Sequence, residues 1–162
     1  MALNAWLTLT GETQGAIKGS GDVDPHIEEI EVYGWSHEVV SPRDAASGLP
    51  TGKRQHKPLN IVKAIDKSSP LLMMVLTNNE NLSDFKLKCY RPSSSGAEEH
   101  FYTVELTNAN IAGIRMESLN NKYAENMNHE ARETVSFTYQ KVMWTFEDGG
   151  ITADDDWKVQ RS

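Results

Sequence analysis

The sequence predicts a mainly β protein, a two-sheet antiparallel β-barrel flanked by one short α-helix near residues 70–78. Two observations support this fold class. Apolar and polar residues alternate with a period of two in segments spread over the 162-residue chain, as they do in strands that bury one face. The segment from Asp66 to Leu76 instead carries helix-start residues followed by a continuous apolar run.

The first strand is predicted near the N-terminus. Its alternate apolar positions are Leu3, Ala5, Leu7 and Leu9. Residues 11–25 follow and are rich in glycine, with Gly11, Gly15, Gly19 and Gly21, so they predict a flexible loop.

The next predicted strand, residues 29–37, has apolar or aromatic residues on both faces. Ile30 and Val32 share one face, whereas Tyr33 and Trp35 share the other. Two explanations are open: the aromatic residues cap the edge of a sheet, or another subunit covers this outer face.

Residues 41–56 form a connection that is long for a compact domain, and such connections are usually functional or disordered. The connection is locally basic in a chain of net charge −7. Its candidate contact residues are Pro42, Arg43, Asp44, Lys53, Arg54 and His56. Acidic groups on a neighbouring copy would suit this loop.

The helix is predicted to begin beside Ser69, whose hydroxyl can accept a hydrogen bond from a free N–H of the first turn. Pro70 fits the first helical position, where an N–H is not needed. Residues 71–76 are all apolar, so the helix is expected to be covered on every side, as a plug that closes the barrel.

Residues 84–106 predict a hairpin around a turn at 92–96, followed by a bend near Asn108 and Gly113. Between residues 135–139 and 142–146 the apolar positions change from odd to even numbers. Either a β-bulge or a strand that crosses from one sheet to the other would produce this change. The acidic segment 147–162 is expected to be solvated.

The sequence offers no pattern typical of an enzyme, a metal site or a cofactor site. Its five histidines are scattered without metal-ligand spacing, and Cys89 shares an apolar strand face with Phe85 and Leu87, which predicts a packed, inert thiol. The negative charge disfavours nucleic acid, and no apolar run is long enough for membrane insertion. We therefore expect one domain over residues 1–162, made in the cytoplasm without a signal peptide.

Three stretches, residues 26–36, 59–73 and 133–139, resemble the haemolysin-coregulated protein (Hcp) family, the tube-forming component of the bacterial type VI secretion system. The resemblance extends over nearly the whole chain and is weakest in the 41–56 loop and the C-terminal tail. It implies a structural tube protein and not an enzyme.

The resemblance also implies partners. Copies of the chain would form homohexameric rings that stack into a hollow inner tube, which a contractile sheath drives out of the cell behind a spike protein. The lumen could carry small effector proteins, and the chain would be secreted through this apparatus. On this basis we expect a subunit interface at Trp6, Tyr33, Trp35 and Phe101, and stacking contacts from the 41–56 loop.

Two alternatives remain open at the sequence level. A phage-type tail tube protein would have a related barrel and the same ring-stacking assembly. A monomeric small-ligand-binding β-barrel belongs to a different class, and its oligomeric state would separate it from either tube protein.

Overall fold

The computed structural model describes residues 3–158, and within that range it contains thirteen β-strands, one α-helix and one short 3-10 helix. The elements are β1 (Ala5–Gly11), β2 (Gly15–Ile17), β3 (Ile30–Val32), β4 (Gly34–Ser36), β5 (Val39–Val40), β6 (Gln55–His56), β7 (Leu59–Ala64), α1 (Ser69–Thr77), β8 (Leu82–Pro92), β9 (Glu98–Thr107), β10 (Asn110–Glu117), the 3-10 helix (Ala124–Asn126), β11 (Arg132–Thr138), β12 (Lys141–Phe146) and β13 (Ile151–Asp156). The predicted mainly β fold with a short helix is confirmed.

The strands form two main antiparallel sheets and a small two-stranded sheet. The larger sheet has the order β13-β12-β9-β8-β1-β2, with β3 also paired to β1, and the smaller has the order β10-β11-β7-β4. Their inward side chains share one hydrophobic core, in which the rings of Phe85 and Phe137 meet edge to face with centroids 4.8 Å apart. Each strand buries every second side chain against this core, which accounts for the period-two alternation of apolar residues in the sequence.

Two segments of the chain cross from one sheet to the other. β3 pairs with β1 in the larger sheet, whereas β4 pairs with β7 in the smaller sheet. The predicted strand 29–37 is therefore two short strands that meet at Tyr33, whose backbone N–H donates to the carbonyl of Val62. β11 and β12 likewise belong to different sheets, which confirms crossing as the cause of the parity change after residue 139.

The hairpin predicted over residues 84–106 is confirmed as β8 and β9, joined by a turn at residues 93–97. Residues 151–154 of the acidic C-terminal segment are exposed, as expected of a solvated segment, but residues 151–156 also form β13 beside β12, a strand that the sequence analysis did not predict. Residues 1, 2 and 159–162 lie outside the described part of the chain.

The predicted capping role of Ser69 is wrong. The N-cap position is Ser68, without a side-chain capping bond, while Pro70 lies in the first turn as predicted. Ser69 Oγ instead donates to Glu133 Oε1 at 2.8 Å and accepts the N–H of Asp66 at 3.0 Å. The hydroxyl is thus used to attach the start of α1 to β11.

α1 is only partly covered, which corrects the expectation of an all-round plug. Leu72 and Val75 are buried, and the helix packs against β10, but Met74 is 46% exposed. A nine-residue helix that lies against one sheet edge covers only its inner face. No helix within residues 3–158 is long and apolar enough to cross a membrane.

The glycine-rich segment 11–25 forms β2 and a closely packed turn rather than an open loop. A Cβ added to Gly21 would lie 2.1 Å from the carbonyl oxygen of His26, and one on Gly19 would lie 2.6 Å from that of Glu29. The glycines are needed here because two backbone segments approach each other closely.

Candidate assembly interface

Two of the four predicted interface residues are covered by their own chain. Trp6 is 8% exposed and stacks on the ring of His26, with centroids 4.2 Å apart. Phe101 is half-buried, and the guanidinium of Arg91 lies 5.0 Å from its ring centroid. Trp6 is therefore largely covered by its own chain, whereas the interface role of Phe101 stays a prediction.

Tyr33 and Trp35 are the two predicted interface residues that face solvent, with 46% and 40% exposure. Tyr33 lies where the chain crosses between the sheets, and Trp35 lies within β4, opposite Ile61 on β7. The interface role of this pair stays a prediction.

A buried polar cluster explains why Trp6 is covered. The ring nitrogens of His26 contact Glu29 Oε1 at 2.9 Å and Glu98 Oε1 at 2.6 Å. Glu29 also forms an ion pair with Lys88. Burial, and then the charges of Glu29 and Glu98, raise the pKa of Tyr90 to about 12. The cluster fastens the segment before β3 onto the larger sheet.

Tyr33 borders an acidic cleft at the end of the smaller sheet. Its hydroxyl donates to Glu130 Oε2 at 3.3 Å. A cleft of 310 Å³ is lined by Ser20, Gly21, Glu31, Tyr33, Ala64, Ile65, Asp66 and Glu130. Burial raises the pKa of Tyr33, and the nearby carboxylates of Glu31, Glu130 and Asp66 raise it further, which indicates a negative potential in the cleft.

The 41–56 connection is an ordered hairpin. β5 pairs with β6, and a bridge between Arg43 and Pro50 extends the ladder. The tip is held by Asp44, whose Oδ2 accepts from the N–H and the hydroxyl of Ser47 at 2.8 and 2.7 Å. We call residues 39–56 the arm.

Arg54 and His56 hold the base of the arm to β13. Arg54 Nε and Nη2 donate to the two oxygens of Asp155 at 2.5 and 2.9 Å, and His56 Nε2 lies 2.7 Å from Oδ2. The hydrogen bond from Arg54 holds the pKa of Asp155 below its usual range. Arg54 and His56, two of the basic residues predicted to contact a neighbouring copy, are therefore bonded to Asp155 of their own chain.

A directed chain of hydrogen bonds continues from this base. Trp144 Nε1 donates to His37 Nδ1 at 3.4 Å, so the neutral His37 carries its proton on Nε2 and donates to Tyr139 Oη at 2.6 Å. Tyr139 then donates to His56 Nδ1 at 2.9 Å, and His56 Nε2 donates to Asp155. Burial lowers the pKa of His37 and raises that of Tyr139. The arm is thereby anchored to β12 and to the link that follows β11.

The geometry gives little support for a metal site or for a reactive cysteine. Within the described residues, no three histidine, cysteine, aspartate or glutamate side chains are grouped as metal ligands. Cys89 is buried, and burial raises the pKa of its thiol to about 11, which confirms a packed residue.

A protein-family model described as "Type VI secretion system effector, Hcp" matches residues 6–146. This chain belongs to the Hcp family. The "Major exported protein" of Pseudomonas aeruginosa is 40% identical to this Hcp chain, over 98% of the chain and 97% of that relative. The predicted family is confirmed, and it is a family of secretion-system proteins rather than of enzymes.

Solved structures agree with the family assignment over the whole chain. One, described as "Crystal structure of Hcp protein", has a TM-score of 0.90 and 33% identity, and covers 97% of this chain and 99% of its own. "Secreted protein Hcp3 from Pseudomonas aeruginosa" has a TM-score of 0.78 and 33% identity, with 100% of both chains covered.

This Hcp chain also has two long strands at the ends of its sheets. In the described residues, β13 ends the larger sheet beyond β12, and β10 ends the smaller sheet beyond β11. Each carries an exposed apolar side chain, Ile151 at 68% and Met116 at 54% exposure. A strand edge without a neighbouring strand can pair with another chain, and for β10 this pairing would take place beside α1, which packs against that strand.

The sequence analysis missed a buried ion pair inside this Hcp chain. Lys63 and Glu133 are fully buried, occupy opposite register positions on β7 and β11, and are bonded to each other. Lys63 Nζ also lies 3.2 Å from Ser69 Oγ and 3.1 Å from Asp66 Oδ1. The sequence did contain a sign of this buried lysine. Leu59 and Ile61 are inward-facing positions of β7, and residue 63 lies on the same face of the strand.

Proposed function

We propose that this Hcp chain is the structural tube protein of a type VI secretion system. Six copies close into a ring, and rings stack into a hollow inner tube whose lumen carries small effector proteins. The contractile sheath and the spike protein are its partners in this apparatus. The tube leaves the cytoplasm through the apparatus, so export needs no signal peptide.

The observation that carries the proposal is the pair of sheet edges. A closed ring of identical copies uses a heterologous interface, in which one patch meets a different patch on the next copy. β10 and β13 are two such different patches on one chain, and each presents backbone groups with an exposed apolar side chain, Met116 or Ile151. Ring closure would cover both edges at once.

The arm and the exposed aromatic pair support stacking of rings. The arm is an ordered, braced projection rather than a disordered loop, and its outer part presents Arg43, Leu49 and Lys53 to solvent. Tyr33 and Trp35 offer aromatic contact area outside the core.

The two alternatives fit these observations less well. A small-ligand barrel would need an open interior, whereas the space between the sheets is filled by packed side chains such as Phe85 and Phe137. A phage tail tube shares the assembly logic, but the family match favours the secretion system.

Native mass spectrometry and negative-stain electron microscopy test the proposal. We expect a species of six times the 18.1 kDa chain mass, seen as annuli. Met116→Lys or Ile151→Lys would place a lysine on one of the two edge strands. Ring formation would then bury an unpaired charge, so the measured mass should become that of the monomer. Met127→Lys is the matched control, since Met127 is 69% exposed outside the strands. A wild-type chain that stays monomeric at high concentration would exclude the ring.

A further inference from the structure

We propose that five residues at the base of the arm form a proton-sensitive latch, which holds the segment entering the arm against β12 at neutral pH and releases it in mild acid. The latch consists of Trp144, His37, Tyr139, His56 and Asp155. All five belong to one chain, so the latch works in a single subunit and needs no ring or tube. It controls how firmly the arm is attached to its own barrel.

The latch joins both ends of the arm to the rest of the fold. His37 lies between β4 and β5, where the chain enters the arm, and His56 ends β6, where the chain leaves it. Tyr139 lies between the two rings, with edge-on contacts at centroid distances of 5.6 and 5.4 Å. Trp144 belongs to β12 and Asp155 to β13. A change inside the latch therefore changes how the arm is attached.

Each of the four contacts in the latch holds one proton when both histidines are neutral. The protons run in one direction, from the Trp144 indole to His37, then to Tyr139, His56 and finally Asp155. Tyr139 is 5% exposed and the His56 side chain is 3% exposed. Because a buried donor without an acceptor costs free energy, the latch is stable only while every donor faces an acceptor.

A proton added to His37 breaks the contact with Trp144. Nδ1 of His37 accepts from the Trp144 indole N–H in the neutral state, and protonation turns Nδ1 into a donor. Two donors then face each other. This contact, at 3.4 Å, is also the longest of the four, so it is the one that gives way.

A proton added to His56 has the same result. Nδ1 of His56 would then donate to Tyr139 Oη, so the Tyr139 hydroxyl would have to donate to Nε2 of His37. That reversal moves the His37 proton to Nδ1, where it again meets the N–H of Trp144. Asp155 accepts in either state, so the end of the arm at His56 stays bound while the end at His37 is released.

The charged groups around the latch set the pH at which it opens. Asp155 favours a proton on His56, whereas the guanidinium of Arg54, which shares Asp155, opposes it. The other charged residues beside them in sequence are Glu38, Lys57 and Asp156. Burial, and then the charge of His56, lower the pKa of His37 below its usual 6.5. The neutral form of His37 therefore persists through neutral pH, and the latch is expected to open below 6.5.

Nitrogen-15 NMR of the wild-type chain, labelled at histidine and tryptophan, tests the latch at about pH 8 and about pH 5, which bracket the titration of histidine. At the higher pH, His37 and His56 should both carry their proton on Nε2. At the lower pH, the Trp144 indole N–H should lose about tenfold or more of its protection from hydrogen exchange. A proton on Nδ1 of either histidine at the higher pH, or unchanged protection of Trp144 at the lower pH, would overturn the proposal.

A latch that cannot take up a proton gives the matched comparison. His37→Gln with His56→Gln replaces each ring by an amide, which can still accept at one atom and donate at another but does not titrate. The protection of the Trp144 indole N–H should then be the same at both pH values. His129→Gln is the control, since His129 is exposed and lies outside the latch, and it should keep the wild-type loss of protection.

The outcomes assign the pH response to the latch or to another part of the chain. If Trp144 still loses its protection in acid in the double variant, the response arises elsewhere and the latch is excluded. If the double variant does not fold, the wild-type measurement still decides, because the proton positions on His37 and His56 and the protection of Trp144 are read without any substitution.

Discussion

At the residue scale, ionisable side chains on inward strand positions are matched by partners from other elements. Lys63 and Glu133 are fully buried, yet each meets opposite charge and the Ser69 hydroxyl. Removing one member of such a pair usually costs several kcal/mol, because the other charge stays buried without compensation. The pair thus links β7, β11 and the start of α1.

Asp155 at the base of the arm gives a pH-dependent stability. Asp155→Asn should lower the free energy of unfolding by about 1–3 kcal/mol at neutral pH, since Arg54 and His56 lose their charged acceptor. The folded pKa of Asp155 lies below 3.8, so its stabilisation is present above 3.8 and is lost as the pH falls through the folded value. Urea unfolding should show a difference in the free energy of unfolding between wild type and Asp155→Asn at neutral pH, and this difference should disappear at strongly acidic pH.

Asp154→Asn serves as the neighbouring control for that measurement. Asp154 is half exposed and pairs with Lys141 at 3.1 Å, so its loss should change stability by less than about 1 kcal/mol. A wild-type advantage over Asp155→Asn that persists undiminished at acidic pH would contradict the assigned role of the carboxylate.

At the element scale, α1 shows what a run of apolar residues does and does not determine. The run and Pro70 were enough to predict the helix to within about a residue at each end. They could not show which face points inward, because six apolar residues in succession carry no helical phase. Packing against β10 decides the phase, and that contact is not local in sequence.

Two truncations on α1 separate its covered and exposed faces. Leu72→Ala should destabilise the fold by about 2–5 kcal/mol, because the side chain is fully buried and its loss leaves a cavity. Met74→Ala should change stability by no more than about 0.5 kcal/mol in the isolated subunit, since Met74 is 46% exposed. Urea unfolding measures both. Equal losses would mean that the helix is covered on both faces.

At the scale of the whole molecule, local patterns predicted the strands, while the pairing of distant segments determined the site. Alternation identified the strand that contains Tyr33, but only pairing with β1 and then β7 shows that the chain changes sheet there and exposes this residue. Charge counting marked the arm as basic. Its division into a braced base and a free outer part depends on Asp155, about 100 residues away, so the sequence alone could not show it.

Shortening the arm tests whether ring closure and stacking are separate properties of the molecule. Residues 43–52 would be replaced by Asn-Gly, a two-residue turn that suits a hairpin. The pairing of Val40 with Gln55 and the contacts of Arg54 and His56 with Asp155 would remain. We expect the native mass to stay that of the ring while tubes disappear from electron micrographs.

Shortening a different hairpin in the same way gives the matched control. Replacing residues 93–97 with Asn-Gly shortens the turn between β8 and β9 and leaves the arm intact, so tubes should persist. Arm-shortened rings that still form tubes of wild-type length would assign stacking to other surfaces. Loss of the ring itself would instead place the arm in the lateral interface, where β10 and β13 are proposed to meet, because the brace at Asp155 sets the arm beside β13.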